Sequence, residues 1–275
     1  MQKERIYQDG LKVKMEPKNE PKPEPEPKLK PKPGTANAKS SKVVEKDPKP
    51  DKIEVPDITR CLYRTESEYK ALVKTHSKNT DKVDKKQIAK HKKPDGSPGG
   101  YVATHNYQTI NRALIEDDVS SLCDDDKATI EAMRRAIANN TLDQDSILTR
   151  YVNDDYISSK FGVFREDGSK LAGYELTQGY KRGKVLQQAI EAIKKKIGTT
   201  ISSDAFMSTS MLKSKNLMSD KNVRLTIRAV KGTHCYAPTN KRESELIFGD
   251  DTKLYITDVA KSIDDKLEIF AILLE

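Results

Sequence analysis

Two glutamates late in the sequence have a spacing that would let them act on one substrate. Glu243 and Glu245 lie two residues apart and lead into the apolar run at 246–248. Alternate side chains of a β-strand point to the same face, so a strand here would place both carboxylates side by side. Neighbouring carboxylates repel each other unless a cation comes between them. The alternative interpretation is an ordinary pair of glutamates on a solvent-facing strand.

A run of three small hydroxyl residues precedes this pair. Ser208, Thr209 and Ser210 follow the apolar residues Phe206 and Met207. Side-chain hydroxyls can hold a carboxylate in one orientation by hydrogen bonding. They are also common in turns and at strand edges, where they have no chemical role. The run by itself therefore leaves both interpretations open.

A single arginine, Arg150, interrupts the apolar segment Ile147–Val152, which is predicted to be a short strand. An arginine that faces a protein interior needs an anionic partner, because removing its charge from water is costly. A structural ion pair would satisfy this need. A bound phosphate would satisfy it as well, since a guanidinium group matches the geometry of phosphate oxygens.

Taken in chain order, Arg150, the hydroxyl run and the glutamate pair resemble the motifs of the bacterial ADP-ribosyltransferase exoenzyme family. That family includes the enzymatic components of binary toxins and arginine-specific mono-ADP-ribosyltransferases. Residues 107–114 (Tyr-Gln-Thr-Ile-Asn-Arg-Ala-Leu) are similar to the family's N-terminal helix pattern, and residues 206–210 to its most recognisable string. Residues 231–238 stand where the family has a strand that turns into the loop ahead of the glutamates. The resemblance covers roughly residues 100–275.

The resemblance implies that NAD+ is the substrate and that the product is a covalently ADP-ribosylated target. Breaking the bond between nicotinamide and ribose develops a cation, which Glu245 would stabilise while Ser208 holds that carboxylate in place. Arg150 would bind a phosphate of NAD+, and Thr209 and Ser210 would support the strand edge and the cofactor pocket. The implied cofactor-binding residues are Arg150, Ser208, Thr209, Ser210 and Glu245.

The resemblance also implies the acceptor of the ADP-ribose. Glu243 would face it, and a glutamate there suits an arginine, whose guanidinium has to be oriented and to lose a proton before it attacks. The turn Tyr236–Arg242 would recognise the target protein. The implied substrate-recognition residues are therefore Tyr236, Arg242 and Glu243. Hydrolysis of NAD+ is the implied side activity.

The chain departs from the family at positions around the cofactor. Tyr151 follows the arginine, where many relatives have Arg or Gly. Ala205 stands where some binary-toxin enzymes have an Asn that contacts the cofactor. A second cation for the phosphates has three candidates after the hydroxyl run, namely Lys213, Lys215 and Lys221.

The elements that must position these residues are predicted from periodicity. Apolar residues recur at helical spacing in four segments: 68–74, 107–115, 124–137 and 186–197. They alternate with polar residues, as in strands, in three later segments: 223–230, 254–257 and 267–272. Helices first and strands afterwards indicate an α+β fold. The resemblance implies an ADP-ribosyltransferase-like fold, with helices packed around two mainly antiparallel sheets.

Proline content divides the chain into three predicted regions. Ten of the 13 prolines fall in the first 56 residues, and proline removes backbone donors and disfavours helix and sheet. Residues 1–56 are predicted to be a disordered Pro/Lys-rich tail, residues 57–100 a polar, partly helical lead-in with a loop, and residues 101–275 the catalytic domain. Within the tail, residues 17–33 are interpreted as an extended polyproline II spacer, and the alternative is a docking or delivery module formed by residues 17–50.

The net charge of +8 invites a nucleic-acid interpretation. Half of this excess lies in residues 1–55, with 14 Lys and Arg against 10 Asp and Glu, and the rest is spread over the remaining chain. A solvated basic surface is therefore favoured over nucleic-acid binding.

Other classes of site find little support. The three cysteines, Cys61, Cys123 and Cys235, have neither the number nor the spacing of a disulfide framework or a metal site, so no metal is expected. The four histidines are scattered, and His76 is predicted to have a surface or ordinary core role. The acidic run at 124–126 is interpreted as a helix cap rather than a cation site.

The sequence also shows no pattern typical of a membrane span or of a signal peptide. No apolar run reaches the ~18 residues of a membrane span, and residues 1–10 have no signal-peptide core. The expectation is that the protein is either cytoplasmic or delivered into host cells by a non-classical route.

Three functions compete at this point. The leading interpretation is an arginine-specific ADP-ribosyltransferase that acts as a toxin, an effector or a phage-encoded modifier. The second is a non-catalytic basic module that docks through the Pro/Lys-rich tail. The third is an ADP-ribosyltransferase whose acceptor is a nucleic acid. Release of nicotinamide separates the first from the second, and nuclease treatment of the product separates the first from the third.

Overall fold

Most of the helices precede most of the strands along the chain. The computed structural model describes residues 53–89, 106–172, 175–176, 182–213, 220–238, 244–262 and 266–274. The α-helices of this part are α1 (Glu66–Asn79), α2 (Lys82–Ala89), α3 (Asn106–Ile115), α4 (Asp124–Ala138), α5 (Asp155–Phe161) and α6 (Arg182–Lys194). Its strands are β1 (Ser146–Val152), β2 (Thr200–Ser202), β3 (Met207–Ser210), β4 (Val223–Ala229), β5 (Glu245–Phe248), β6 (Lys253–Lys261) and β7 (Leu267–Leu274).

Helix α1 begins at a capping box. Thr65 Oγ1 accepts the Glu68 N–H at 3.4 Å, and Glu68 Oε2 accepts the Thr65 N–H at 2.7 Å. Such reciprocal bonds satisfy backbone donors that the start of a helix leaves without partners. Tyr69, Leu72 and His76 are buried along one side of the helix, at the spacing of three and four residues that places side chains on one face.

The remaining helices agree with the predicted periodicity, apart from the end of α6 and from two helices that the sequence did not predict. The helices predicted over 107–115 and 124–137 are confirmed as α3 and α4, and α6 ends at Lys194, before the exposed Ile197. The acidic run at 124–126 forms the first turn of α4, and Cys123 is the capping residue. Helix α2 and helix α5 were not predicted. In α2 only Asp84 and Ile88 are buried, so its sequence carries almost no apolar period.

The seven strands form one hydrogen-bonded sheet in the order β2-β6-β7-β4-β1-β3-β5. The pair β4 and β7 is parallel, and the other neighbours are antiparallel. The α+β class is confirmed. Two sheets were expected, and the structure joins them, because β1 and β3 share a single register pair, Thr149 with Ser210. The pairing of β1 with β3 gives hydrogen-bond partners to backbone N–H and C=O groups that would otherwise lie at a sheet edge.

Strand β5 is buried on both of its faces. Leu246 and Phe248 belong to the larger apolar cluster, whereas Ile247 packs in a smaller cluster with Phe206 and residues of α2, α3 and α4. Because alternate side chains of a strand share a face, Glu245 points the same way as Ile247, toward the helices. The fold thus places a carboxylate between the sheet and a helical layer.

The predicted lead-in contributes to the same packing. Tyr69 and Leu72 of α1 belong to the larger cluster, and Ile88 of α2 belongs to the smaller one. The boundary predicted at residue 100, the loop around it and almost all of the predicted tail lie outside the described residues. The division into three regions therefore stays a prediction.

Candidate active site

Glu245 is the first residue of β5, and its side chain is fully buried. The Ser208 hydroxyl donates a hydrogen bond of 2.6 Å to Glu245 Oε1. In the antiparallel register Ser208 lies opposite Ile247 and Ser210 lies opposite Glu245, so Ser208 is a diagonal neighbour on the same face. A hydroxyl bond of this length to a carboxylate is charge-assisted. It fixes the orientation of the Glu245 carboxylate.

Arg150 extends from β1 toward the same place. Its Nη1 donates to the backbone carbonyl of Ser208 at 3.0 Å. Burial lowers the pKa of the Arg150 guanidinium, and the nearby Tyr156, Tyr107 and Glu245 act in the opposite direction. A guanidinium carries five N–H donors, so an arginine that bonds to a backbone carbonyl can also bind an anion.

The structure therefore brings the three sequence motifs together. Arg150 and Ser208 are 58 residues apart in the chain, and Ser208 and Glu245 are 37 apart. Ser208 connects them, since its carbonyl accepts from the arginine and its hydroxyl donates to the glutamate. One cation and one carboxylate are thus held at fixed positions around a single residue.

The other two hydroxyls of the run bond to backbone carbonyls. Thr209 Oγ1 donates to Leu246 O at 3.3 Å, and Ser210 Oγ donates to Leu212 O at 3.2 Å. Both residues are buried. The Thr209 bond joins β3 to β5, whereas the Ser210 bond joins the end of β3 to the residues that follow it. The roles expected of both residues at the strand edge and in the cofactor pocket stay predictions.

The turn expected at Tyr236–Arg242 is described only in its first part. Tyr236 is buried, and its backbone exchanges hydrogen bonds of 2.8 and 2.9 Å with Ile247. Its side chain packs in the smaller apolar cluster. Arg242 lies outside the described residues. The roles of both residues in recognising a target stay predictions.

The backbone turns at Ser244, immediately before Glu245. Glu243 lies outside the described residues, and β5 begins only at Glu245. Ser244 has a φ of 49°, a left-handed conformation that does not occur within a regular strand. Because Glu243 is not among the described residues, the expectation that Glu243 and Glu245 share a face of one strand stays a prediction. A sharp turn in the backbone leads directly into the buried carboxylate.

The comparison with sequence families decides what kind of site this is. A family described as ADP-ribosyltransferase exoenzyme matches residues 73–273, which is most of the chain. The chain belongs to the ADP-ribosyltransferase exoenzyme family. The resemblance noted in the sequence is thus confirmed, and the match begins inside helix α1.

Solved structures of bacterial ADP-ribosylating toxins have the same fold as this exoenzyme. C3stau2 from S. aureus, solved with NAD, superposes with a TM-score of 0.61 at 18% identity, covering 78% of this chain and 99% of that one. Plx2a, an ADP-ribosyltransferase toxin from Paenibacillus larvae, gives 0.57 at 18% identity, covering 76% and 94%. The enzymatic component C2-I of the C2 toxin from Clostridium botulinum gives 0.54 at 17%, covering 76% of this chain and 48% of that one. Among curated protein sequences no match was found.

The described residues of the exoenzyme form neither a metal site nor a membrane-spanning helix. Within these ranges, no group of three or more His, Cys, Asp or Glu is arranged to hold a metal ion. Over the same part of the chain, none of the helices combines the length and apolarity needed to cross a membrane.

The positions at which the exoenzyme departs from the family pattern lie in defined environments. Tyr151 adjoins Arg150 on β1 and so faces the other side of the sheet, where it hydrogen bonds with Arg224. Lys213 Nζ lies 5.4 Å from the centre of the Tyr63 ring. Ala205 is buried. The Arg150 guanidinium is therefore surrounded by side chains other than Tyr151.

One of those side chains was not identified from the sequence. Tyr156 of α5 is close enough to Arg150 and to Asp204 for its pKa to respond to both, and burial raises that pKa to about 12. Lys160, four residues further along α5, forms an ion pair with Asp204. Residues four apart lie on one face of a helix, so Tyr156 and Lys160 line the same side. The missing signal was helix α5 itself, whose seven residues show little periodicity.

Replacing Ser208 with alanine tests the orientation of the carboxylate. Ser208→Ala removes the 2.6 Å bond to Glu245, and hydrogen bonds to charged groups contribute about 1.5–3 kcal/mol. We expect the turnover for nicotinamide release to fall about 10- to 100-fold, measured by chromatography of the products. Ser202→Ala, at an exposed position of β2, is the control and should leave turnover unchanged. Wild-type turnover in Ser208→Ala would show that the bond has no role in catalysis.

Proposed function

We propose that this exoenzyme transfers ADP-ribose from NAD+ to an arginine side chain of a target protein, with release of nicotinamide, and that it acts as a toxin or effector. The observation that supports this most directly is the buried Glu245 carboxylate, oriented by Ser208 at 2.6 Å and adjacent to the Arg150 guanidinium. A transferase that works on NAD+ needs these charges in this arrangement.

Glu245 is proposed to stabilise the charge that develops on the sugar. As the bond from the ribose carbon to nicotinamide breaks, its electron pair leaves with the neutral nicotinamide and the ribose becomes cationic. A preorganised carboxylate in a water-poor environment stabilises such a cation more than it stabilises the substrate. Glycoside hydrolysis uses carboxylates in the same way. The complete burial of Glu245 supports this role.

Arg150 is proposed to bind a phosphate of NAD+. The guanidinium group carries five N–H donors in a planar array, and Nη1 is the nitrogen that donates to Ser208 O. Burial already lowers the pKa of Arg150, so an approaching phosphate would restore charge compensation to it. The residues present therefore fit a dinucleotide phosphate. Lys160 is the second cation on this side of the site, although Asp204 shares its charge.

Glu243 is proposed to act on the acceptor. A free arginine guanidinium is too basic to attack as a neutral nucleophile, so a carboxylate has to orient it and accept a proton as the new bond to the ribose carbon forms. The support for this role is the sequence position of Glu243, two residues before the carboxylate that stabilises the cation. The roles of Tyr236 and Arg242 in contacting the target protein are proposed on the same basis.

The proposal is tested by incubating the full-length protein with NAD+ labelled in its adenylate part. Three acceptor conditions are compared: none, polyarginine, and a cell lysate. We expect nicotinamide release above that of Glu245→Ala, and label attached to polyarginine. Release no greater than in Glu245→Ala would identify a non-catalytic module. Label that nuclease removes from the lysate product would identify a nucleic-acid acceptor.

A further inference from the structure

Helix α1 contacts the chain on both sides of the segment that carries Glu243. Residues 239–243 lie outside the described ranges, but Ala237, Pro238 and Glu245 on either side of them are described and buried. Two side chains of α1, Tyr69 and His76, hydrogen bond to these flanking residues. The helix precedes the catalytic motifs by many residues and was interpreted from the sequence as part of a lead-in.

Tyr69 contacts both flanks at once. Its hydroxyl lies 3.1 Å from Pro238 O and 3.3 Å from Glu245 O, and the tyrosine is 5% exposed. The hydroxyl hydrogen is thus shared between two carbonyl oxygens that are separated by six intervening residues in the chain. Buried carbonyl groups without a donor are costly, so the contact fixes the distance between the two flanks.

His76 lies about two turns after Tyr69 in the same helix and contacts the first flank, at Ala237. Its Nδ1 accepts the Ala237 N–H at 3.0 Å, so Nε2 carries the hydrogen and donates to Thr141 O at 3.0 Å. The histidine is 1% exposed, and burial lowers its pKa. The neutral ring with one donor and one acceptor satisfies both contacts. The segment that holds Thr141 is itself anchored, since Leu142 N donates to Thr233 O at 2.9 Å.

We propose that Tyr69 and His76 are positioning residues that set the geometry of Ala237, Pro238 and Glu245, the described residues that flank the acceptor-binding segment. The two residues form a tether from one rigid helix to both flanks of residues 239–243. Their joint effect is to fix the backbone positions of Ala237, Pro238 and Glu245 relative to one another. The inference rests on the proposed function, because it is Glu243 within the segment that would face the arginine acceptor.

The two residues of the tether should affect different activities. Tyr69 reaches the backbone of Glu245 itself, so its loss should disturb the step that both hydrolysis and transfer share. His76 reaches only the first flank, so its loss should disturb the acceptor side alone. A residue that only stabilised the fold would affect both activities in proportion to the fraction of folded protein.

Four variants of the full-length protein make the test. Tyr69→Phe removes only the hydroxyl, and Tyr255→Phe on β6 is its control. His76→Gln places an amide nitrogen near Nε2 and removes the acceptor for Ala237, whereas His76→Asn places a carbonyl oxygen near Nδ1 and keeps that acceptor. The ADP-ribose acceptor is agmatine, a small molecule with the guanidinium group of arginine. We expect Tyr69→Phe to lower the turnover of NAD+ hydrolysis and of transfer to agmatine about tenfold. The KM for NAD+ should stay within about twofold of wild type.

The histidine pair gives the sharper readout. We expect His76→Gln to raise the KM for agmatine and lower transfer about tenfold while NAD+ hydrolysis stays within about threefold of wild type. His76→Asn should retain most of the transfer. Equal losses in His76→Gln and His76→Asn, or losses of hydrolysis and transfer that follow the folded fraction in thermal unfolding, would overturn the tether.

Amide hydrogen exchange separates a failure of the tether from a failure of the proposed function. In NAD+-free protein, the Ala237 amide should exchange about tenfold faster in His76→Gln than in His76→Asn or wild type. Unchanged exchange would overturn the tether whatever the enzyme does. Faster exchange in a protein that shows no transfer to any guanidinium acceptor would leave the tether standing and refute arginine as the acceptor.

Discussion

Replacing Glu245 with glutamine is expected to lower both nicotinamide release and ADP-ribose transfer about 1,000-fold. Glutamine has nearly the same shape and still accepts the Ser208 hydrogen bond, but it carries no negative charge. The difference therefore isolates the stabilisation of the developing ribose cation. Steady-state assays of nicotinamide release give the turnover, and mass spectrometry of the acceptor gives the transfer.

The fold should tolerate this substitution, because glutamine removes a charge from a fully buried position. Thermal unfolding of Glu245→Gln should occur at or above the wild-type temperature, which excludes misfolding as the cause of lost activity. Glu191→Gln on the exposed side of α6 is a matched control and should keep full activity. If Glu245→Gln kept activity within a few-fold of wild type, the catalytic role of Glu245 would be refuted.

Replacing Glu243 with glutamine is expected to separate the two activities. Glu243→Gln should lower transfer to arginine acceptors about 100-fold, in the range measured for loss of a general base. Hydrolysis of NAD+ should stay within about threefold of wild type. Its acceptor is water, which has no guanidinium group that a carboxylate must orient. The ratio of modified acceptor to released nicotinamide measures the effect directly.

The aspartate variant is the control for this second substitution. Glu243→Asp keeps the charge on a shorter side chain and should retain more transfer than Glu243→Gln. Parallel loss of hydrolysis and transfer in Glu243→Gln would mean that Glu243 acts on NAD+ rather than on the acceptor. Transfer equal to wild type would remove the basis for arginine as the target residue.

The parts of the fold predicted correctly from the sequence are those where burial alone produces a period. Val223, Leu225 and Ile227 alternate with polar residues because β4 presents one face to the core. Helix α4 shows the helical equivalent, with buried residues at Ile130, Met133 and Ala136. Arg150 could be selected because a cation in an apolar strand violates the pattern of its neighbours.

Other features depend on contacts that no local pattern records. The left-handed Ser244 has an ordinary sequence context, so the turn before Glu245 had no visible signal. The brief junction of β1 with β3 depends on how the two parts of the sheet meet in space. His76 was predicted to have a surface or ordinary core role, and it is buried. What its sequence position could not show was the partner of its Nδ1, which lies 161 residues away.

The position of β7 in the sheet has a consequence for how the protein is made. This strand is the last element described, yet it lies between β6 and β4, and β4 in turn pairs with β1, which carries Arg150. A ribosome delivers these residues after every other described strand, so the middle of the sheet stays open until Leu267–Leu274 have emerged. Arg150 and Glu245, for which we propose phosphate binding and catalysis, therefore acquire their final framework only after β7 has been synthesised. A cell that synthesises this protein would be exposed to a competent active site only after nearly all of the described chain is complete.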